Sequence, residues 1–266
     1  MNTNTVLDEY QNPVIIHSEE DFAQMRKAGK LASQVLDYIT PFVKEGVSTL
    51  ELDKLCHDYI ISKGAIPAPL NYKGFPKSIC TSVNHVVCHG IPSNKILNAG
   101  DIINIDITVI LNKWHGDTSR MFFVGKKNIK SEKLVEVTFN SMWEGIKKVK
   151  PGNTLGDIGY AIQKYAENFG YSVVRDFCGH GIGKVFHCAP NILHYGQMGK
   201  GMKLRQGMIF TIEPMINIGK KDIKILNDGW TAVTKDKKLS AQFEHTIGVT
   251  ENGYEVFTIS KEEKAS

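Results

Sequence analysis

Residues 104–120 read NIDITVILNKWHGDTSR, two β-rich runs on either side of Asn112-Lys113. Apolar side chains alternate with mostly polar ones over residues 103–111, which is the period of a β-strand. Asn112-Lys113 then supplies a turn, and residues 114–124 return as a second β-rich run. The stretch therefore predicts an antiparallel hairpin.

Two aspartates, Asp106 and Asp117, lie in this hairpin. A hairpin whose loop has an even number of residues places both on one face, directly opposite or on a diagonal, roughly 5–7 Å apart. Two carboxylates at that separation repel each other unless a proton or a cation lies between them. The alternative is a pair of solvated aspartates on an exposed strand face.

Length and composition describe one large globular domain. The chain has 266 residues, of which 42% are hydrophobic and 23% are charged. No run approaches the roughly 20 apolar residues of a membrane span. The N-terminal sequence MNTNTVLDEYQNP lacks a secretory signal pattern. We therefore expect a cytoplasmic protein without membrane contact, and a monomer by default.

Several other classes of protein are poorly supported. The five cysteines lack paired C-x-x-C spacing, which argues against a disulfide framework and a structural zinc site. The turn at residues 178–183 (CGHGIG) matches neither phosphate-binding loop motif. The net charge of +4 is compatible with contact to ribosomes or RNA, but many enzymes have a similar charge.

Helical patterns occur twice along the chain. After a polar leader over residues 1–17, a helix begins with a capping box at Ser18 and stops at Pro41. A second helix runs from near Ser48 to Gly64. The same order returns as predicted helices over residues 131–149 and 154–170.

The strand motif repeats as well. GDIINID at residues 100–106 matches GMIFTIE at residues 207–213 position for position, so Glu213 stands where the first copy has Asp106. Two copies are too few for a solenoid. The sequence thus predicts one α+β domain over residues 18–266, with two halves related by a pseudo-twofold axis that brings these acids towards a shared centre. A chance strand glutamate is the alternative for Glu213.

The second half adds Glu244, in a predicted strand over residues 240–247, and His180, in the glycine-rich turn. With Asp106, Asp117 and Glu213 they form a set of four carboxylates and one imidazole. Such a set suits Mn²⁺, Fe²⁺, Co²⁺, Zn²⁺ or Mg²⁺. Two ions bridged by shared carboxylates and a water would use all five residues, as in two-metal hydrolases.

The other histidines divide into two groups. His89 and His187 lie in turns bounded by glycine or proline, and each is as consistent with a structural role as with a catalytic one. The remaining histidines have no comparable context and are expected to be structural or at the surface: His17, His57, His85, His115, His194 and His245.

These motifs together resemble the type I methionine aminopeptidases. The matching runs are residues 84–92 (NHVVCHGIP), 100–106 (GDIINID), 115–119 (HGDTS), 178–183 (CGHGIG), 211–214 (TIEP), 228–231 (DGWT) and 240–246 (SAQFEHT). They occur in the family's order and span nearly the whole chain. The resemblance implies the pita-bread fold, an antiparallel β-sheet flanked by helices with an internal repeat.

The resemblance also implies the roles of the metal ligands. Asp106 and Asp117 would hold the first of two divalent ions. Asp117 and Glu244 would bridge to the second ion, which His180 and Glu213 would complete.

Further roles follow from the same resemblance. His89 and His187 would contact the scissile peptide and assist proton transfer, and Glu213 would share in activating the water. The pocket for a methionine side chain would be lined by Tyr72, Phe75, Cys80, Phe186 and Trp230, and an apolar, sulfur- and aromatic-lined wall suits a thioether.

The chain departs from the family pattern outside these ligands. Cys188-Ala189 replaces an acidic pair, Lys73 replaces a histidine, His85 replaces an acid and Pro69 replaces a pocket cysteine. These changes could alter substrate reach beyond the first residue.

The implied activity is removal of the initiator methionine from nascent chains whose second residue is small. The implied partners are nascent polypeptide N-termini and, transiently, the ribosome, without specific nucleic-acid binding. One alternative is a proline-specific aminopeptidase of the same fold. Another is a non-catalytic pita-bread module that binds peptides, histones or RNA.

Overall fold

The computed structural model describes residues 4–260. Its α-helices are α1 (Glu19–Ile39), α2 (Thr49–Ser62), α3 (Ile129–Ile146) and α4 (Leu155–Asn168). Its strands are β1 (Thr5–Leu7), β2 (Pro13–Ile15), β3 (Ile66–Pro67), β4 (Cys80–Val83), β5 (Val86–Cys88), β6 (Ile102–Leu111), β7 (Trp114–Phe123), β8 (Ser172–Val173), β9 (Gly179–Gly181), β10 (Cys188–Ile192), β11 (Ile209–Ile212), β12 (Met215–Asn217), β13 (Ile223–Ile225), β14 (Ala232–Thr234), β15 (Ser240–Gln242), β16 (His245–Val249) and β17 (Tyr254–Val256).

The helices begin where their caps predict. Ser18, Ser48 and Thr154 each form a capping box with the acidic residue three positions later. Helix α3 begins at Ile129, because Asn128 caps it, and ends at Ile146, so the predicted span of 131–149 was shifted. Among the described residues, no helix is long and apolar enough to cross a membrane.

Strands β6 and β7 form the predicted hairpin. Leu111 pairs with Trp114 across the two-residue turn, whose residues have φ of 50° and 72°. Left-handed φ at both turn positions matches the right-handed twist of a hairpin. Asp117 lies opposite Thr108, two residues beyond Asp106, so the two aspartates share a face on a diagonal. That prediction is confirmed.

The second half lacks such a continuous hairpin, and the predicted single strand over residues 240–247 was wrong. Strand β11 pairs with β16, and β12 pairs with β15. The two strand breaks lie opposite each other: Glu213-Pro214 separates β11 from β12, and Phe243-Glu244 separates β15 from β16. Proline cannot donate to a ladder, and the backbone of Glu244 instead exchanges hydrogen bonds with Ser119 of β7.

Each half has its own hydrophobic core. In the first half, α1, α2 and β6 contribute fully buried residues such as Leu36, Leu52 and Ile105 to one core. In the second half, β11 and β16 contribute buried residues such as Phe210 and Ile247 to a core that they share with residues of α3 and α4. Antiparallel sheets flanked by helices in two such halves confirm the predicted pita-bread fold.

The predicted leader carries structure of its own. Strands β1 and β2 form a small hairpin, and Val14 is buried in the core of the second half. The backbone N–H of His17 donates to the carbonyl of Gly207. The boundary at residue 17 stays a prediction, and residues 1–3 and 261–266 lie outside the described range.

Candidate active site

All the candidate site residues line one cavity of about 360 Å³ between the two halves. They are Asp106, Asp117, His180, Glu213 and Glu244, the histidines His89 and His187, and Tyr72, Phe75, Cys80, Phe186 and Trp230. Strands β6 and β7 supply the aspartates, β9 supplies His180, and the breaks in the second half supply the glutamates. Residues remote in sequence therefore meet in one place.

Three acidic side chains, those of Asp117, Glu213 and Glu244, lie close to His180. Possible ligand atoms of Asp117, His180 and Glu244 all lie within 4.8 Å of one another. His180 Nε2 lies 3.7 Å from Asp117 Oδ2 and 3.6 Å from Glu213 Oε1. His180 Nδ1 lies 3.2 Å from the carbonyl of Gly181, which favours the proton on Nδ1 and leaves the Nε2 lone pair facing the carboxylates.

This donor set fits divalent cations. Asp106 Oδ1 is buried without a hydrogen-bond partner among the described residues, as expected for an oxygen that binds a cation. Burial raises the pKa of Asp106 to about 7 and that of Glu213 to about 8. Burial and neighbouring carboxylates raise the pKa values of Asp117 and Glu244 as well. A divalent cation would relieve this repulsion and keep the carboxylates ionised.

Hydroxyl groups orient the carboxylates. Thr108 Oγ1 donates to Asp117 Oδ1 at 2.7 Å, and Thr211 Oγ1 donates to Glu213 Oε1 at 2.7 Å. Thr211 Oγ1 also accepts the backbone N–H of His180 at 3.0 Å. Hydrogen bonds from residues outside the ligand set fix the orientation of the ligands. Thr211 therefore positions His180 and Glu213 relative to each other.

The two candidate catalytic histidines have different neighbours in the cavity. The His187 ring lies 4.1 Å from the His180 ring centroid, and His187 Nδ1 is 3.0 Å from the Tyr72 hydroxyl. His89 has a left-handed φ of 55° and lies edge-on to Trp230 at 6.2 Å. Burial lowers the pKa values of both histidines, so both are neutral at physiological pH.

An aromatic wall closes the cavity beside the acids. Phe75 meets Trp230 edge-to-face at 5.2 Å, and Tyr72 lies 4.8 Å from Phe186. Buried Cys80 adds a thiol to this wall. The cavity is thus acidic on one side and apolar on the other.

The metal-free protein is expected to lose stability as the pH rises from about 6.5 to 8.5. Folded Asp106 and Glu213 have pKa values of about 7 and about 8 against ordinary values of 3.8 and 4.5, so the folded state binds more protons than the unfolded state. Buried histidines with lowered pKa values oppose this trend up to about pH 7.5, where unfolded histidines still carry some protons, but Asp117 and Glu244, whose pKa values are also raised, add to the loss. The loss is on the order of a few kcal/mol, because one pKa unit corresponds to about 1.4 kcal/mol.

Melting temperatures measured in chelator across this range test the expectation. Asp106→Asn should flatten the dependence, since it removes one of the titrating groups. A chelated protein that became more stable between pH 6.5 and 8.5 would contradict it.

Comparison with known proteins identifies the family. Residues 23–251 match the profile described as metallopeptidase family M24, which is more than half of the chain. The chain belongs to metallopeptidase family M24.

Relatives of this M24 chain include close matches. A methionine aminopeptidase of Rickettsia prowazekii is 63% identical over 92% of this chain and 95% of its own length. One from Escherichia coli K12 is 54% identical over 94% of this chain and 96% of its own length. The crystal structure of the Rickettsia prowazekii methionine aminopeptidase has a TM-score of 0.92, 62% identity and coverage of 92% of this chain and 100% of that one. The predicted resemblance is confirmed.

More distant structures share the fold alone. A prolidase from Pyrococcus horikoshii has a TM-score of 0.73 at 22% identity, and the match covers 92% of this chain but 64% of that one.

Sequence reasoning missed several residues of this M24 site. Thr108, Asp176, Phe177, Cys178 and Met215 also line the cavity. Thr108 could have been found, because it shares its strand face with Asp106. Thr211 carried no comparable signal, since a strand threonine is common in any sheet.

Proposed function

We propose that this M24 metallopeptidase removes the N-terminal methionine from polypeptides whose second residue is small. The observation that carries the proposal is the convergence of four carboxylates and His180 with an aromatic, thiol-lined wall in one cavity. The acidic side suits divalent cations and the substrate's α-amino end, and the apolar side suits a thioether side chain.

The ligand assignment supports a two-ion site. Asp106 and Asp117 would hold one divalent ion, and Asp117 and Glu244 would bridge to a second, completed by His180 and Glu213. Bound ions would supply Lewis-acid activation of water and of the substrate carbonyl. Activity measured against metal stoichiometry decides between one and two ions, and Co²⁺, Mn²⁺, Fe²⁺, Zn²⁺ and Mg²⁺ all accept these ligands.

Glu213 is the proposed proton carrier. Its ionised carboxylate faces the cavity, and a carboxylate beside the attacking water can act as a general base near physiological pH. It would take a proton from the attacking water and deliver it to the leaving amine. Thr211 holds one of its oxygens, Oε1, which keeps the carboxyl group aimed into the cavity.

The two neutral histidines would bind the scissile peptide. Tyr72 holds His187 Nδ1, which leaves Nε2 to contact the substrate carbonyl. His89 borders Trp230, which would place it where the first side chain of the substrate meets the peptide bond. The side chain itself would lie among Tyr72, Phe75, Cys80, Phe186 and Trp230.

A peptide assay tests the proposal. Protein stripped with chelator and reloaded with Mn²⁺ or Co²⁺ should release methionine from Met-Ala-Ser, and chelator should abolish the release. Leu-Ala-Ser is the matched control for the side-chain pocket. An X-Pro peptide tests the proline-specific alternative, and absence of turnover with every divalent metal would favour a binding module.

The setting proposed for this activity is the cytoplasm, with a monomer acting on nascent chains at the ribosome. The segment over residues 219–238, which includes β13 and β14 beside the cavity, carries six lysines against three aspartates. The lysines are exposed: Lys220, Lys221, Lys224, Lys235, Lys237 and Lys238. Such a surface attracts the phosphates of ribosomal RNA in a salt-dependent way. Co-sedimentation with ribosomes at low salt measures this contact. A protein that does not sediment with ribosomes at low salt would contradict it.

A further inference from the structure

His194 contacts the backbone of a proposed metal ligand, although it lies outside the cavity. Its side chain is fully buried, and its Nε2 accepts the backbone N–H of Glu213 at 3.1 Å. Sequence reasoning placed His194 among the structural or surface histidines, because nothing around it suggests chemistry.

Strand geometry explains why Glu213 needs this partner. Strand β9 lies between β10 and β11 and begins at Gly179, which pairs with Ile192. Beyond Gly179 there is no β9 residue left to pair with, yet the chain continues from β10 to His194 and from β11 to Glu213. The ladder between β11 and β16 also stops, at Ile212. The imidazole of His194 therefore takes the place of a strand partner for the Glu213 N–H.

The hydrogen bond defines the state of the imidazole. Because Nε2 accepts, the ring proton lies on Nδ1, and burial lowers the pKa of His194 to about 3, which keeps the ring neutral. Nδ1 is buried without a hydrogen-bond partner among the described residues. An unpaired buried donor is unfavourable for stability, and an apolar side chain would avoid it. The compensating feature is the acceptor that His194 supplies to Glu213.

Helix α4 fixes the segment that carries His194. A Cβ added at Gly159 would lie 2.4 Å from the carbonyl oxygen of Tyr195 and 2.6 Å from that of Leu193. The backbone on either side of His194 therefore lies directly against the helix. The helix thus fixes the backbone of this segment, and burial encloses the imidazole.

We infer that His194 is a positioning residue that sets the place of Glu213 in the metal centre. The inference rests on the proposed function, in which Glu213 is a metal ligand and proton carrier. His194 holds the Glu213 backbone where the strand ladder has ended, and Thr211 holds its carboxylate. Together they keep Glu213 Oε1 at 3.6 Å from His180 Nε2.

A pair of amide variants tests the hydrogen bond apart from packing. Glutamine at position 194 can place an acceptor near the Nε2 position, whereas asparagine is too short to reach the Glu213 N–H. The measurements are Mn²⁺ affinity by calorimetry, the Co²⁺ absorption spectrum, the kcat and KM for Met-Ala-Ser, and the melting temperature in chelator. We expect His194→Asn to weaken Mn²⁺ binding about tenfold or more and to change the Co²⁺ spectrum, and His194→Gln to stay close to the unmodified protein.

Two results would overturn the inference: both variants binding Mn²⁺ like the unmodified protein, or both weakened equally, which would mean that packing alone matters. If His194→Asn does not fold, His194→Leu replaces it, since leucine fills the volume without accepting a hydrogen bond. If the unmodified protein binds no divalent ion, the proposed function fails together with this inference. If it binds metal and releases methionine while the variants behave alike, only the role of His194 is wrong.

Discussion

Asp117→Asn is expected to lower kcat/KM by roughly 10³-fold, or about 4 kcal/mol of transition-state stabilisation, and to reduce bound metal. Asp117 is the central acid of the site, diagonal to Asp106 and within ligand range of both His180 and Glu244. Asparagine keeps the oxygen that accepts from Thr108 but replaces Oδ2, which faces His180 Nε2, with a hydrogen-bond donor. The change therefore removes the proposed bridging charge with little change in volume. Enzyme kinetics and metal analysis of the purified variant measure both effects.

The melting temperature in chelator separates loss of metal from misfolding. Without a cation, the Asp117 carboxylate adds repulsion to Asp106 and Glu213, and asparagine keeps the oxygen that accepts from Thr108, so the variant should be as stable as the unmodified protein or more stable. Asp58→Asn is the control, because Asp58 pairs with Lys54 on the surface of α2. Full activity and full metal content in Asp117→Asn would show that the bridging assignment is wrong.

Glu213→Gln is expected to lower kcat by roughly 10²–10⁴-fold, the range that a positioned acid or base contributes. Glutamine can still accept from Thr211 through Oε1 and can still donate its backbone N–H to His194. It can neither take up a proton nor carry charge. Since the pocket wall is unchanged, KM for Met-Ala-Ser should change much less than kcat.

Steady-state kinetics and metal counting measure this variant. Loss of one ligand charge should weaken one ion more than the other, so metal content should fall without disappearing. Exposed Glu251 supplies the matched control as Glu251→Gln, with no expected change. If Glu213→Gln turned over methionyl peptides at the unmodified rate, another group would have to be the proton carrier.

Much of the site followed from the sequence because the first hairpin is a local structure. Strand alternation and an even two-residue turn are short-range properties, and they placed Asp106 and Asp117 on one face. The internal repeat then pointed to Glu213. Capping boxes marked the helix starts for the same reason, since each cap involves residues only three positions apart.

The strand boundaries of the second half could not be predicted from the alternation of polar and apolar residues alone. Residues 240–247 alternate like one strand, yet the backbone of Glu244 turns to pair with Ser119. Asn104 adds to this junction by donating to the carbonyl of Gln242. These partners lie more than a hundred residues apart in the chain, and no periodicity links them.

By itself, the sequence determined the helices, the first hairpin, the repeat and the chemical type of each ligand, because each depends on neighbouring residues or on composition. Only the tertiary structure decided that Glu244 leaves its strand, that Thr211 and Tyr72 orient their partners, and that His194 supports Glu213. The physical reason is that a buried backbone N–H must find an acceptor wherever its ladder ends. Which acceptor it finds depends on how the two halves pack against each other.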